Sequence, residues 1–324
     1  RAVDFLIAAS GPRRHVEIDF FGGEPLLALD TVRAAVAYAR ERGPAAGKEF
    51  GFTLTTNAVL LDNGVTDYLL ANGFNVVISL DGRPAVHDRF RRTKSGAGSY
   101  ALVKERLCRF VERWESWDGP RGYYYVRGTF TRHNPDFADD FLHLVDLGVR
   151  FISLEPVVGH GDAEWLIREE DLPRFAAEYR RLAQAYLALR REGRDVHFFH
   201  FELDLDGGPC LPRRLTGCGA GCAYLAVAPD GALYPCHQFD GRTALRLGDV
   251  RDGKLDAGVV EAFRQAHVYN KPCRDCWAKF LCSGGCHAAA FGANNDLYTP
   301  YTVGCRLMEM RLECALYLLS TGCV

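Results

Sequence analysis

The sequence predicts a two-domain α/β protein, in which a partial barrel of βα units precedes a smaller cysteine-rich α+β domain. In the first part of its 324 residues, short apolar runs alternate with helical segments, as in parallel sheets covered by helices. Near residue 200 this alternation ends, and cysteines and glycines then dominate. We therefore expect one domain over residues 1–200 and a second over residues 201–324.

Five strands are predicted in the first domain, each a short apolar, β-branched run bounded by glycine, proline or polar residues. These strands cover residues 15–21, 50–56, 75–80, 123–131 and 150–156. The helical spacing of apolar residues predicts helices over residues 29–40, 65–71, 100–114, 137–147 and 169–191. Because five strands are too few for a closed eight-stranded barrel, we expect a partial barrel that lacks its first strand.

The second domain contains only short predicted elements. A strand that begins near His197 precedes a turn, and a β-hairpin over residues 225–234 turns on Pro229-Asp230-Gly231. A helix over residues 303–319 closes the chain, and the cysteines of this last helical segment, Cys314 and Cys323, are not expected to bind metal. The domain has too few regular elements to predict its architecture further.

The composition excludes several classes of partner. The formal net charge is −2, so no basic excess predicts binding to nucleic acid. The chain has no signal peptide and no run of about 18 apolar residues, which predicts a cytoplasmic protein without a membrane partner. In that reducing compartment, 12 cysteines favour bound metal over disulfides.

Clustered cysteines indicate where metal would bind. Five of them follow closely in the chain: Cys273-x2-Cys276-x5-Cys282-x3-Cys286, and then Cys305. Upstream, Cys218 and Cys236 are separated by the hairpin, in the pattern x12-Gly231-x4. Because a cubane cluster takes four thiolates, eight ligands and two clusters is the economical solution. From spacing alone, structural zinc and iron–sulfur clusters remain equal alternatives.

Polar residues follow several predicted strands, and the carboxyl ends of parallel strands share one edge of a sheet. These residues are Gly22-Gly23-Glu24, Asn57, Ser79, Asp81, Arg127 and Glu155. A glycine pair permits close approach of a ligand, and the carboxylate of Glu24 can meet a cationic group. Taken alone, the motif is equally typical of a turn with a solvated glutamate.

Together, the motifs FFGGEPLL, TLTTNAVLL and ISLDGRPAVHDRFR and the cysteine patterns resemble the radical S-adenosylmethionine enzymes that carry a SPASM auxiliary-cluster domain. The resemblance spans nearly the whole chain and implies a partial (β/α)6 radical-SAM barrel. Within that superfamily, VRGTFTRHNPDF, FFHFELDLDGGPC and CSGGCHA look most like maturases of six-cysteine (SCIFF) peptides. That likeness implies a maturase that joins cysteine sulfur to carbon in a ribosomally made, Cys-rich peptide.

The resemblance also implies roles at the strand ends. Glu24 would bind the ammonium of S-adenosylmethionine, and Gly22 and Gly23 would allow its approach. The hydrogen-bonding side chains of the same pocket would be those of Asn57, Ser79 and Asp81. Arg127 would pair with the carboxylate of the cofactor, although an arginine on a strand is equally typical of an ion pair at the end of a barrel.

In enzymes of this pattern the thiols divide between two auxiliary [4Fe-4S] clusters. The distal cluster would take Cys273, Cys276, Cys282 and Cys305. Cys286 would join Cys218 and Cys236 at the nearer cluster. The fourth ligand there stays open among Cys210, Cys222 and a substrate thiolate. An open position would suit thioether chemistry, because metal coordination deprotonates and positions a sulfur.

One family motif is absent from the sequence: the Cx3Cx2C loop that holds the third [4Fe-4S] cluster, which reduces the cofactor. Arg1 already lies in a helical pattern without an initiator methionine, so we expect an N-terminally truncated fragment that is inactive as it stands. The partners implied for the intact enzyme are a Cys-rich precursor peptide and an electron donor such as ferredoxin or flavodoxin.

Two other functions remain open. One is a different radical-SAM peptide modification, either a carbon–carbon crosslink or oxidation of Cys or Ser to formylglycine. His237 follows Cys236 where similar sulfatase-maturing enzymes have an acidic residue, which weakens the formylglycine alternative. The other is a zinc-bearing, peptide-binding module without redox chemistry.

Overall fold

The computed structural model describes residues 1–159, 161–205 and 207–322. The chain forms two compact units. We call one of them the barrel unit; it comprises Leu6–Glu155 and Arg181–His200. The other, the cysteine unit, comprises Arg1–Phe5, Pro156–Arg180 and Phe201–Val324. The boundary proposed from the sequence between residues 200 and 201 stays a prediction.

The main sheet contains six parallel strands that are neighbours in chain order. They are β1 (His15–Phe20), β2 (Glu49–Thr56), β3 (Asn75–Ser79), β4 (Tyr124–Phe130), β5 (Phe151–Pro156) and β6 (His197–Phe198). The count of five strands from the sequence is therefore wrong by one. The short strand expected after the alternation ends is the sixth strand of the same sheet, with His197 opposite Phe151. Two residues are too few for apolar alternation to reveal such pairing.

Seven helices precede the cysteine-rich segment among the described residues. They are α1 (Ala2–Ala9), α2 (Leu29–Ala45), α3 (Asn63–Ala71), α4 (Pro84–Phe90), α5 (Tyr100–Glu115), α6 (Phe137–Asp146) and α7 (Leu172–Arg191). The sequence predicted neither α1 with these bounds nor α4, which is only seven residues long and begins at a proline. Within the part of the chain that the structure describes, no helix is both long and apolar enough to cross a membrane.

Aromatic side chains fill the core of the barrel unit beside β4. Tyr124 is fully buried, and its ring meets those of Phe110 and Trp114 from α5 edge to face, at centroid distances of 5.7 and 5.0 Å. Phe151 from β5 meets the same ring at 5.4 Å. Each such side chain stabilises the fold by about 1.5–3 kcal/mol through burial alone. The apolar face of α5 therefore fixes the sheet whose strand ends carry the predicted cofactor residues.

The cysteine unit has short elements around a small core. Its strands β7 (Ala226–Val227), β8 (Ala232–Tyr234) and β9 (Gly248–Asp249) pair antiparallel, which confirms the predicted hairpin. Its helices after α7 are α8 (Leu211–Thr216), α9 (Ala257–Gln265), α10 (Lys279–Cys282), α11 (His287–Asn294) and α12 (Thr302–Ser320). Phe239 and Phe263 meet edge to face at 5.4 Å in the core. So small a core leaves much of the stabilisation to other interactions.

Candidate active site and metal centres

Glu24 lies just beyond β1 and caps the short 3₁₀ helix Pro25–Ala28. Its carboxylate accepts a hydrogen bond from the Leu26 amide at 3.1 Å, from the Thr56 hydroxyl at 2.8 Å and from the Asn57 amide at 2.7 Å. Because Thr56 and Asn57 end β2, the carboxylate joins the carboxyl ends of two neighbouring strands. The protein alone therefore fixes its orientation.

The two glycines before Glu24 leave space beside it. Gly22 has a φ of +66°, in the left-handed region that glycine enters without strain. A Cβ atom added to Gly22 or to Gly23 would meet no atom within 4 Å. The side chain of Asn57 is held by its own turn, because its Oδ1 accepts the Val59 amide at 3.0 Å. This arrangement leaves room for a ligand to approach the backbone.

Ser79 and Arg127 are opposite one another in the register of β3 and β4, so the structure brings these two predicted site residues together. Arg127 is exposed and acts electrostatically on Asp19 of β1. Burial and the charge of Glu17 raise the pKa of Asp19 to about 6, and Arg127 opposes that shift. The sequence did not single out Asp19 as a site residue. Its only signal there is that Asp19 and Glu17 lie two positions apart on β1 and therefore share one face of the strand.

Asp81 is nearly buried, and its carboxylate already has partners on both oxygens. Arg91 donates to Oδ2 at 2.7 Å and to Oδ1 at 3.0 Å, and the Thr129 amide donates to Oδ1 at 2.9 Å. The side chain of Asp81 is 5% exposed. These bonds connect the segment after α4 to β4 at the edge of the sheet. A contact between Asp81 and a cofactor stays a prediction.

The thiols of the cysteine unit form two groups. We call Cys218, Cys236 and Cys286 the inner set, because Cys236 interacts electrostatically with both of the others. The distal set is Cys273, Cys276, Cys282 and Cys305, and the thiol of Cys305 interacts with the other three. Burial raises the pKa of Cys236 and of Cys305 to about 11. Without a cation or metal beside them, these thiols are protonated at neutral pH.

A reversed turn separates the two sets within one motif. Cys282 ends α10, and Cys286 is the N-cap residue of α11. Between them, Ser283, Gly284 and Gly285 have φ values of 60°, 83° and 75°, all in the left-handed region. Three such residues in succession turn the chain so that two cysteines four positions apart serve different sets. The glycine pair of CSGGC is therefore required by backbone conformation.

Lys271 provides a test of whether these thiols fit an anionic cluster. Its side chain is buried, with the residue 3% exposed, and its ammonium donates to the Gly284 carbonyl at 2.9 Å. Burial lowers the pKa of Lys271, against thiol charges from both sets: Cys273, Cys282, Cys286 and Cys305. A buried ammonium is costly unless a negative charge compensates it. Thiolates bound to iron would provide that charge, so the donor set fits iron–sulfur clusters.

The fourth ligand of the inner set stays a prediction, with Cys210, Cys222 and a substrate thiolate as the alternatives. The charges of Cys286 and Cys218 act on the thiol of Cys236, and the charge of Cys218 acts on the thiol of Cys286. The thiol of Cys222 lies 3.8 Å from the Val260 carbonyl. Cys210 is exposed. Cys314 is buried in α12, whereas Cys323 lies outside the described residues.

Spacing of the thiols bears on the choice between zinc and clusters. Among the described residues, no three His, Cys, Asp or Glu side chains are close enough to hold one metal ion. Thiolates that share a single Zn²⁺ lie within about 4 Å of each other, because each Zn–S bond is about 2.3 Å long. A cubane spreads its four thiolates over separate corners. The choice between a single zinc ion and a cluster at each set therefore stays a prediction of the sequence.

Comparison with known proteins gives relatives for most of the chain. A model of the SPASM iron–sulfur cluster-binding domain matches residues 218–277. A serine-type anaerobic sulfatase-maturating enzyme of Klebsiella aerogenes is 24% identical over 307 residues, which cover 90% of this chain and 71% of that protein. A cysteine-type anaerobic sulfatase-maturating enzyme of Clostridium perfringens is 25% identical over 285 residues, covering 84% and 74%. A PqqA peptide cyclase of Rhodopseudomonas palustris is 31% identical over 94 residues, 26% of this chain and 24% of that protein.

Solved structures share the fold. Native anSMEcpe with bound AdoMet and a Kp18Cys peptide superimposes with a TM-score of 0.76 at 18% sequence identity, over 98% of this chain and 89% of that chain. The same protein with AdoMet alone gives a TM-score of 0.77. The predicted α/β fold class is thereby confirmed for both parts of the chain.

Proposed function

Because the chain belongs to the radical SAM/SPASM maturases, we propose that it modifies a ribosomally made peptide and, specifically, installs thioether crosslinks from cysteine sulfur to carbon. The observation behind the thioether assignment is the inner set, in which the thiol of Cys236 interacts with those of Cys218 and Cys286. A cubane takes four thiolates, so one position is available to a cysteine of the substrate.

In this proposal the strand ends of the barrel unit bind S-adenosylmethionine. The carboxylate of Glu24, held by donors from two strands, accepts the ammonium of the cofactor. Gly22 and Gly23 leave room for that approach. Arg127, exposed beside Ser79, pairs with the carboxylate of the cofactor. Asn57, Ser79 and Asp81 complete the pocket as hydrogen-bonding groups.

The thiol sets have separate tasks in the same proposal. The distal set holds one cluster entirely with protein ligands, and the inner set holds another beside the peptide. When bound, S-adenosylmethionine supplies a 5′-deoxyadenosyl radical, and the clusters supply thiolate ligation and a path for the remaining electron. The buried ammonium of Lys271 compensates the charge of the thiolates in both sets. A ferredoxin or flavodoxin is the electron donor that we propose.

The test uses the full-length protein, reconstituted anaerobically with iron and sulfide and supplied with S-adenosylmethionine and a low-potential reductant. Cys-rich precursor peptides are then analysed by mass spectrometry before and after alkylation. We expect a product lighter by a pair of hydrogen atoms for each crosslink, in which the same number of thiols resists alkylation. Unchanged mass with every thiol still alkylated would exclude thioether formation.

Formylglycine formation is the second candidate, favoured by the match of most of the chain to sulfatase-maturating enzymes. Its product contains an aldehyde and no crosslink, so a hydroxylamine probe would label it. A carbon–carbon crosslink, supported by the shorter match to a PqqA peptide cyclase, would leave all thiols free for alkylation. One mass-spectrometric experiment therefore separates the three modifications.

Metal analysis separates these enzymes from a zinc-bearing binding module. After anaerobic reconstitution, two auxiliary clusters require about eight iron atoms and as many sulfides per chain. A zinc module would instead retain about two zinc ions and show no visible absorbance. The latter result would overturn the redox function.

A further inference from the structure

The cysteine unit contains a cavity of about 380 Å³, within the range typical of ligand sites. Its apolar walls come from Val158, Trp165, Phe239 and Ala288, and its polar groups from Gln238 and Arg242. Gly159 also lines it, and a Cβ atom there would lie 2.5 Å from the Trp165 ring. The indole therefore packs directly against the backbone at Gly159. This cavity is not among the sites assigned above.

Arg242 gives the cavity a positive charge. Its guanidinium lies 5.3 Å from the centroid of the Phe291 ring, in a cation–π contact. No carboxylate among the described residues forms an ion pair with it. By contrast, Arg264 of α9 forms an ion pair with Glu261 at 2.7 Å. Arg242 is therefore available to an anion in the cavity, where apolar walls limit solvation.

The cavity adjoins the inner set through the backbone. The Gln238 amide donates a hydrogen bond to the thiol of Cys236, and the Ala288 amide donates one to the thiol of Cys286. Both segments that present these thiols therefore also line the cavity. A peptide held in the cavity would have its neighbouring residues close to the inner set.

We propose that this cavity binds an acidic side chain of the peptide substrate and so selects peptides with Asp or Glu near the cysteine to be modified. Arg242 pairs with the carboxylate, Gln238 adds a hydrogen-bonding amide, and Trp165 and Phe239 cover the aliphatic stem. The proposal rests on the proposed function, because it takes the substrate to be a Cys-containing peptide.

The experiment measures binding to the reconstituted full-length protein under anaerobic conditions. The probes are fluorescent, cysteine-containing peptides that are identical except for Glu, Asp, Gln or Asn at positions flanking the cysteine. We expect the wild type to bind at least one acidic peptide roughly tenfold more tightly than its amide counterpart. Arg242→Gln should remove this preference, whereas Arg264→Gln, which also removes one positive charge, should keep it.

Iron content and the visible spectrum are measured for each variant. Equal binding of acidic and amide peptides by the wild type, or a preference that survives in Arg242→Gln, would overturn the proposal. If Arg242→Gln loses iron, Arg242→Lys decides: a reduced acidic preference with full iron supports the contact, and an unaltered one contradicts it. If the enzyme crosslinks peptides equally well with and without acidic residues beside the cysteine, this inference is wrong and the proposed function still holds.

Discussion

Charged and polar groups are stabilised differently in the two compact units. In the barrel unit, the carboxylates of Glu24 and Asp81 accept hydrogen bonds from backbone amides and from one side chain each, that of Thr56 on β2 and that of Arg91 after α4. In the cysteine unit, burial raises the pKa of the thiols, and Lys271 is buried with one carbonyl acceptor. The protein alone therefore holds the carboxylates at the strand ends, whereas the buried ammonium of Lys271 is costly unless a negative charge compensates it.

The two units differ in the interactions that supply the free energy stabilising each site. Hydrogen bonds to Glu24 and Asp81 stabilise the folded chain whether or not a cofactor is bound. The thiol sets cost free energy in the metal-free chain and return it when metal binds, as in other small metal-dependent domains. Removal of metal should therefore change the effect of a substitution on the free energy of unfolding in the cysteine unit, and should leave it unchanged in the barrel unit.

The largest effect is expected from Cys286→Ser. If Cys286 belongs to the inner set alone, its loss should remove the nearer cluster and so about half of the iron of the two auxiliary clusters, while the distal set keeps its own. Iron and sulfide analysis with electron paramagnetic resonance measures this. Cys108→Ser, which changes a thiol of α5 in the barrel unit, should retain the iron of the wild type. Loss of all iron from the Cys286 variant would contradict the division into two sets.

In the barrel unit, Arg91→Met should cost about 3 kcal/mol in the free energy of unfolding, because it leaves the nearly buried carboxylate of Asp81 without its cation. Urea denaturation of the metal-free protein measures this cost. Arg89→Met, at an exposed position two residues earlier, should change stability by less than about 0.5 kcal/mol. Equal losses in the two variants would mean that the pairing with Asp81 contributes little.

Lys271→Met should have opposite effects with and without metal. Without metal we expect the variant to be more stable than the wild type by about 2 kcal/mol, because a buried ammonium is replaced by an apolar side chain. With metal it should retain less iron, since the thiolates lose a compensating charge. Lys279→Met, whose ammonium bonds the Arg274 carbonyl at an exposed position, is the control. A metal-free Lys271 variant less stable than the wild type would refute the comparison.

Glu24→Gln should have a smaller effect on the free energy of unfolding and a large effect on the binding of S-adenosylmethionine. The amide would place an N–H group against one of the donors from Thr56 or Asn57, at a cost of about 1–2 kcal/mol. Calorimetric titration should show much weaker binding of S-adenosylmethionine. Glu41→Gln, on the exposed surface of α2, should alter neither quantity. Undiminished cofactor affinity in the Glu24 variant would remove Glu24 from the proposed pocket.

The smallest effect is a dependence on pH. Burial lowers the pKa of His87, which is 1% exposed and bonds the Ser99 hydroxyl at 3.0 Å. The folded state therefore binds fewer protons than the unfolded one, so stability is full above the unfolded value of 6.5 and falls as pH decreases below it. The slope is at most about 1.4 kcal/mol per pH unit.

Urea denaturation at a series of pH values measures that slope. His87→Gln should flatten it, whereas His15→Gln should leave it unchanged, because the side chain of His15 is 77% exposed. An identical slope in the wild type and the His87 variant would assign the pH dependence to other groups.

The sequence predicted the fold class because its signals are local. Alternating apolar runs and helical segments located β1 to β5 to within a few residues, and the turn Pro229-Asp230-Gly231 located the hairpin of β7 and β8. The strand β6 was harder to recognise, because two residues pair with β5 only once the intervening chain has folded. The helix α4 was too short for periodicity to reveal.

The residues that support the candidate site were harder to predict from the sequence. A lysine before Pro272 and Cys273 looks like a surface residue, and only the tertiary fold buries Lys271 against both thiol sets. The pairing of Arg91 with Asp81 depends on α4. The ligand and cofactor roles themselves came from the family resemblance and stay predictions, because neither pattern nor spacing names the group that a site binds.

If Cys282 and Cys286 bind metal in different sets, we expect the left-handed turn between them to make the loading of the two sets cooperative. Metal bound to Cys282 restricts the conformational entropy of a loop only three residues long, so Cys286 is already positioned when the inner set receives its metal. The second loading event then requires less ordering of the chain than the first. Partly loaded molecules should be scarce at intermediate iron supply, and chains should divide mainly between empty and full.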